Sequence, residues 1–152
     1  MEVRTLLEEL LGRSVEVAVG PPWAPLGGEP GTYAVYVDDA LVVRCVAVCD
    51  LPFSAHAGAA IGLLPAAGAQ QAVEDGRLPE TVQENLAEVL NVCAALQNAS
   101  GSPHMRLYQV HHVGSDVPPQ VAALGAVLGQ RLDLAVTIGG YGAGRLSFVG
   151  VA

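Results

Sequence analysis

The segment that most constrains this chain is Thr81 to Asn98, TVQENLAEVLNVCAALQN, the longest run with a single helical period and neither Pro nor Gly inside it. At about 100° per residue, Val82, Leu86, Val89, Leu90, Cys93 and Leu96 fall on one stripe, and Glu84, Glu88, Asn91, Ala95 and Asn98 fall on the opposite one. A stripe of that width has to dock on another layer. The segment therefore predicts a helix with a buried flank and an acid-amide front. Thr81 followed three residues later by Glu84 has the spacing of a capping box, which would engage Glu84 in the first turn. Glu88 and Asn91 have no such local role, and one turn apart they would project side by side from a rigid element.

The remaining chain supplies layers for that helix to dock on. MEVRTLLEELLG places Val3, Leu6, Leu7, Leu10 and Leu11 at helical spacing around Glu8 and Glu9. That is an acidic amphipathic helix, not a basic-headed signal peptide. Ser14 to Val19 alternates as a strand does. Gly20 to Gly31, with Pro21, Pro22, Pro25 and Pro30, reads as a loop, with Trp23 as a lid over a hydrophobic seam. Thr32 to Asp38 and Leu41 to Cys49 flank Asp39-Ala40 as a hairpin. The second of these strands is apolar enough to be central, except at Arg44, which either faces the open side of the sheet or pairs with a carboxylate.

Leu51 to Val73 has no charged residue, yet Ser54, His56, Pro65 and Gln70-Gln71 interrupt it, so two short helices broken at Pro65 are expected rather than a membrane span. His56 there reads as a core or edge histidine. Asn98 to Gly101 is a helix stop, His104 to Val113 a strand, Val121 to Leu128 a short helix, and Leu132 to Ile138 and Leu146 to Val151 two more strands. Gly139 to Gly144 joins those last two as a wide hairpin with Gly at positive φ. It lacks the strand-to-helix context of a phosphate-binding loop.

Composition excludes several function classes. The 152 residues predict one domain, 1–152, with an adequate core. The net charge of −8 argues against nucleic acid and anionic membrane as partners. The seven cations are all Arg, so no Walker lysine exists. Cys45 and Cys49, about 13 Å apart in an extended strand, cannot bridge each other. With Cys93 they read as buried hydrophobes of a reducing cytoplasm. His111 and His112 face opposite sides of a strand, so no metal site is expected.

Glu88-Val-Leu-Asn91, on a helix that follows a strand pair and a second helix and precedes another strand, resembles the Glu-x-x-Asn signature of the CheC/CheX-type chemotaxis phosphatases. The family pattern is Asp or Ser, three residues, Glu, two residues, Asn, usually with Gly four residues later. Here Glu84 holds the first position, Ala95 stands where Gly would be, and Val113 stands near the spacing of the family's Pro. The similar element order spans Thr32 to His112.

The resemblance implies an α+β fold, an antiparallel sheet of about five or six strands with helices on one face. It also implies docking on a phosphorylated CheY-type response regulator in the bacterial cytoplasm. Asn91 would orient the hydrolytic water, Glu88 would pair with the regulator's Lys, and Glu84, Ala95 and Asn98 would line the docking face. Mg²⁺ would belong to the regulator, and the chain would need no cofactor of its own. Three functions are compatible with the sequence: this phosphatase, a regulator-binding relative without turnover, and an unrelated small-ligand or oligomerising domain. A homodimer joined at a sheet edge is compatible with each.

Overall fold

A computed structural model describes residues 2–25, 29–98 and 104–151. The alternating stretches become strands β1 (Val15–Val19), β2 (Gly31–Val37), β3 (Val43–Asp50), β4 (Arg106–His111), β5 (Arg131–Ile138) and β6 (Gly142–Gly150). They form one six-stranded sheet in the order β1-β5-β6-β3-β2-β4, with every neighbouring pair antiparallel. The helices are α1 (Val3–Leu11), α2 (Leu51–Ile61), α3 (Ala66–Asp75), α4 (Glu80–Val92), α5 (Ala94–Gln97) and α6 (Pro119–Gly125). The α+β architecture expected from the sequence is the one observed. The expected stop at Ala99-Ser100-Gly101, and residues 26–28 of the Pro-rich loop, lie outside the described residues.

One plan occurs twice along the chain. A helix, a strand and, after a connection, a strand pair describe α1, β1, β2 and β3, and again α4, β4, β5 and β6, the second time with α5 after α4 and α6 within the connection. The first strand of each half joins the other half's pair: β1 lies beside β5, β4 beside β2, and β3 and β6 meet at the centre. Helices α2 and α3 are inserted between the halves.

Strand periodicity sorts the core into two layers. Ala34, Tyr36, Cys45, Ala47 and Cys49 face the side on which α1 to α5 lie, within the main cluster of buried residues. Tyr33, Val46 and Val48 face the other side, where Val121, Ala122 and Leu124 around α6 pack against them with Trp23. Trp23 is thus the lid expected of it. It is held by a buried network: Asp133 accepts from the Trp23 N–H at 3.2 Å and from the Ser147 hydroxyl at 2.7 Å, and Arg131 donates to the Trp23 carbonyl at 2.7 Å. Arg131 also reaches the Gly125 and Val127 carbonyls at the end of α6. One ion pair therefore fixes both pieces covering the second face. Arg44 takes the second of its two expected roles and donates to Asp38 at 2.8 Å.

The uncharged stretch becomes two helices divided at Pro65, as expected, and the first of them, α2, is the helix most completely enclosed. Asp50 caps it by accepting from the Phe53 N–H at 2.8 Å, and Pro52 stands in the first turn, where no donor is missed. Its approach to the sheet is closer than any side chain on β6 would allow. A Cβ at Gly144 would run into the Phe53 backbone, and one at Gly142 would meet the His56 ring at 2.8 Å. The expected wide loop over Gly139–Gly144 is accordingly a tight turn: β5 and β6 stay paired up to Ile138 and Gly142. Gly140 takes the expected positive φ in that turn, and Gly142 and Gly144 leave the room that α2 occupies.

All three cysteines are free and buried. Burial pushes the thiols of Cys45 and Cys93 up to about 12 and that of Cys49 well above its ordinary value, so none is poised as a nucleophile.

Candidate functional site

Helix α4 buries Val82, Leu86, Val89 and Leu90, with Cys93 following them, as the stripe required. Each such side chain removed from water stabilises the docking by about 1.5–3 kcal/mol. Against α2 the approach is again side-chain-free on one partner: a Cβ at Gly58 would stand 2.6 Å from the Val82 carbonyl oxygen. Asn85 fastens the same crossing, its amide donating to the Gly58 carbonyl at 3.0 Å.

Two local expectations are corrected. The capping box does not form, because Pro79 sets the start of the helix, leaving Thr81 inside its first turn; among the described residues no side chain caps the N-terminus. The first-turn acid is Glu80, favourably placed on the helix dipole. Nor does one helix run to Asn98: α4 ends at Val92, Cys93 is a turn, and α5 continues from Ala94. Tyr36 supplies the partner the interrupted ladder needs, its buried hydroxyl donating to the Leu90 carbonyl at 2.6 Å. Burial raises the Tyr36 phenol well above its usual range, with Cys93 and the other thiols adding to the effect, so it stays a donor.

Glu84, Glu88, Asn91 and Ala95 are all exposed. Glu80, also exposed, extends the row at a four-residue interval, giving an acidic ridge that ends in an amide. Among the described residues no cation forms an ion pair with Glu84 or Glu88. Asn98 is differently placed from the docking role given to it. It is half-buried, accepts from the Met105 N–H at 2.7 Å and donates to the Met105 carbonyl at 3.0 Å, joining the end of α5 to the start of β4. Glu88 and Asn91 are thus brought together on the helix, Glu84 and Ala95 flank them, and Asn98 serves the fold.

Chemically, a carboxamide can both donate to and accept from one water, and a neighbouring carboxylate can receive a partner's ammonium. Both groups are carried by an element whose other side is fixed by Tyr36, Gly58 and Asn85. The sequence reading passed over Tyr36 and Asn85. The available signals were a phenol on a strand face otherwise lined by Ala and Cys, and an Asn one turn before Glu88.

His56 is buried, as expected of a core histidine, with its Nδ1 unpartnered. Burial lowers its imidazole below the ordinary value while the Asp50 carboxylate works against that. Among the described residues no three His, Cys, Asp or Glu side chains converge as a metal requires, and no helix is long and apolar enough to cross a membrane.

No family model and no curated protein matches the sequence. Solved structures do match the fold over nearly the whole chain. The FliM middle domain of Vibrio alginolyticus aligns with a TM-score of 0.59 at 9% identity, covering 96% of this chain and 84% of that one. FliY of Thermotoga maritima aligns with a TM-score of 0.57 at 16% identity, covering 96% and 80%. A chain of the CheX-CheY-BeF₃-Mg²⁺ complex from Borrelia burgdorferi aligns with a TM-score of 0.53 at 8% identity, covering 97% and 92%. The fold is the one shared by CheX and the FliM middle domain.

Proposed function

We propose that this chain docks through the front of α4 on a phosphorylated CheY-type response regulator and hydrolyses its aspartyl-phosphate. The observation that carries the reading is the exposed pair Glu88 and Asn91, adjacent on a helix whose opposite flank is sunk in the core. Two further facts support it: the acidic ridge Glu80, Glu84, Glu88 suits a partner that offers a lysine, and the fold is shared with a chain of the CheX-CheY-BeF₃-Mg²⁺ complex.

In the proposed reaction the Asn91 amide holds a water in line with the phosphorus-oxygen bond to the regulator's aspartate. The water oxygen attacks phosphorus, the aspartate carboxylate departs, and inorganic phosphate is released. Little covalent work is asked of the chain, because phosphoryl transfer is governed by positioning and charge stabilisation. Glu88 pairs with the regulator's Lys and fixes the register of docking, and Mg²⁺ is carried by the regulator. Such a partner assigns the chain to chemotaxis signalling in the cytoplasm.

A second reading, regulator or flagellar-partner binding without turnover, is favoured by one observation. The fold is as much that of the FliM middle domain and FliY as that of CheX. The extra methyl of Ala95 and the longer acidic side chain of Glu84 also alter the surface beside Asn91. Decay of a phosphorylated CheY-type regulator, followed with and without the chain, separates the two. Asn91→Ala is expected to lower the acceleration about a hundredfold while complex formation persists. Equal acceleration by the parent and the variant refutes the catalytic assignment. Binding without acceleration by the parent selects the second reading.

A further inference from the structure

The turn after α2 breaks the usual chemistry of a helix end. Leu63 N–H donates to the Ala60 carbonyl at 3.1 Å and Leu64 N–H to the Ala59 carbonyl at 2.9 Å, the paired bonds of a Schellman ending. The residue after the cap in that motif takes the left-handed conformation and is ordinarily Gly. Here it is Leu63, with φ 54°. The glycine stands one position earlier, at Gly62, where a Cβ would meet the Asn85 amide at 2.3 Å. A leucine in the left-handed region lowers the folding equilibrium constant about fivefold relative to Gly.

Nothing in the fold repays that strain through Leu63 itself, which is 76% exposed. The surroundings instead hold it in place. The Tyr141 hydroxyl donates to the Leu64 carbonyl at 2.5 Å, and the Arg13 guanidinium lies 4.7 Å from the Tyr141 ring centroid. The turn is thus tied at the Leu64 carbonyl by Tyr141, and its exposed product is one isobutyl group. Its location gives it a use: Gly62 touches Asn85, and Asn85 lies one helical turn before Glu88. A lone exposed leucine needs no explanation. A strained one, in a turn tied by Tyr141 and set against Asn85 of α4, does.

We infer that Leu63 is the apolar anchor of the docking surface, inserting into an apolar patch on the regulator face that carries the phospho-aspartate, beside the Glu88 contact. This rests on the proposed reading of α4 and adds the contact that supplies affinity, while Glu88 and Asn91 supply register and chemistry. Polar ridge and apolar anchor together match the composition of a protein interface centre and its rim.

Leu63→Gly tests it with two effects of opposite sign. The variant fits the backbone better than the parent does, so its Tm should rise by about 2–4 °C. Its affinity for a CheY-type regulator charged with beryllofluoride and Mg²⁺, measured by calorimetry, should fall about tenfold. Leu63→Met, which keeps an apolar side chain at the same φ, should bind within about threefold of the parent. Leu63→Gly binding as tightly as a parent that does bind overturns the inference and leaves the proposed function standing. A parent dimer in sizing experiments that Leu63→Gly dissolves, with regulator affinity unchanged, overturns it in favour of self-association. A parent that does not bind the charged regulator overturns the reading of α4 and this inference with it.

Discussion

The contact between α2 and α4 makes a quantitative prediction through one atom. Gly58 has no side chain, and a Cβ built there would lie 2.6 Å from the Val82 carbonyl oxygen and 2.8 Å from a Val82 methyl. Gly58→Ala would require the two helices to part by about 0.8 Å to regain ordinary van der Waals separation. The obstructing atom is backbone, so no rotamer change relieves it. Overpacking of this kind costs about 1–3 kcal/mol, against a helix-propensity gain of about 1 kcal/mol for replacing Gly by Ala.

The expected net is a loss of up to about 2 kcal/mol, or up to about 8 °C in Tm for a chain of this length. Gly68, in α3, is the internal control. It has nothing within 4 Å of its virtual Cβ, so the same substitution should act through propensity alone and raise Tm by about 2–4 °C. Thermal unfolding by circular dichroism on both variants measures the difference. If Gly58→Ala is as stable as Gly68→Ala, the close crossing is absent, and the reasoning that α4 is rigidly presented fails with it.

Two further outcomes can be checked on the same material. Tyr36→Phe leaves the Leu90 carbonyl buried without its 2.6 Å partner, and should cost about 1–3 kcal/mol in urea unfolding; an unchanged midpoint removes Tyr36 as the support of the α4 end. Burial depresses the His56 imidazole in the folded chain, so the stability it contributes is full above the unfolded value of about 6.5 and is lost as pH falls toward the folded one. His56→Gln should therefore flatten part of the decline in urea midpoint between about pH 7 and pH 5, and an identical pH slope in the variant refutes that assignment.

Much of this molecule was legible because its periods are clean. The α4 stripe, the alternation of β1 to β6, and the break at Pro65 each follow from spacing alone, and Glu88 and Asn91 are exposed where the helical angle put them. The errors cluster where long-range contacts overrule local signals. Thr81 and Glu84 had capping-box spacing, but Pro79 opens the helix first. The helix was read through to Asn98, yet Tyr36, 54 residues before Leu90, takes up the carbonyl where the ladder is interrupted. Gly140 takes the positive φ expected of turn chemistry, but Gly142 and Gly144 are the space into which His56 and Phe53 of α2 fit. Asn98 shared a face with Asn91 by angle, but the turn at Cys93 carries it toward Met105. Each of these residues is decided by a neighbour that no window of sequence contains.

The doubled plan of the chain gives α1 and α4 corresponding stations in the two halves, but unequal chemistry. Between Val3 and Leu11 there is no Asn or Gln, and the outward residues are Arg4, Thr5 and Glu9, with Arg4 and Glu8 paired at 3.5 Å. Only one of the two stations can hold a water by an amide. On the proposed reading a titration with regulator should saturate at one equivalent per chain, the earlier half having kept the scaffold without the reactive surface.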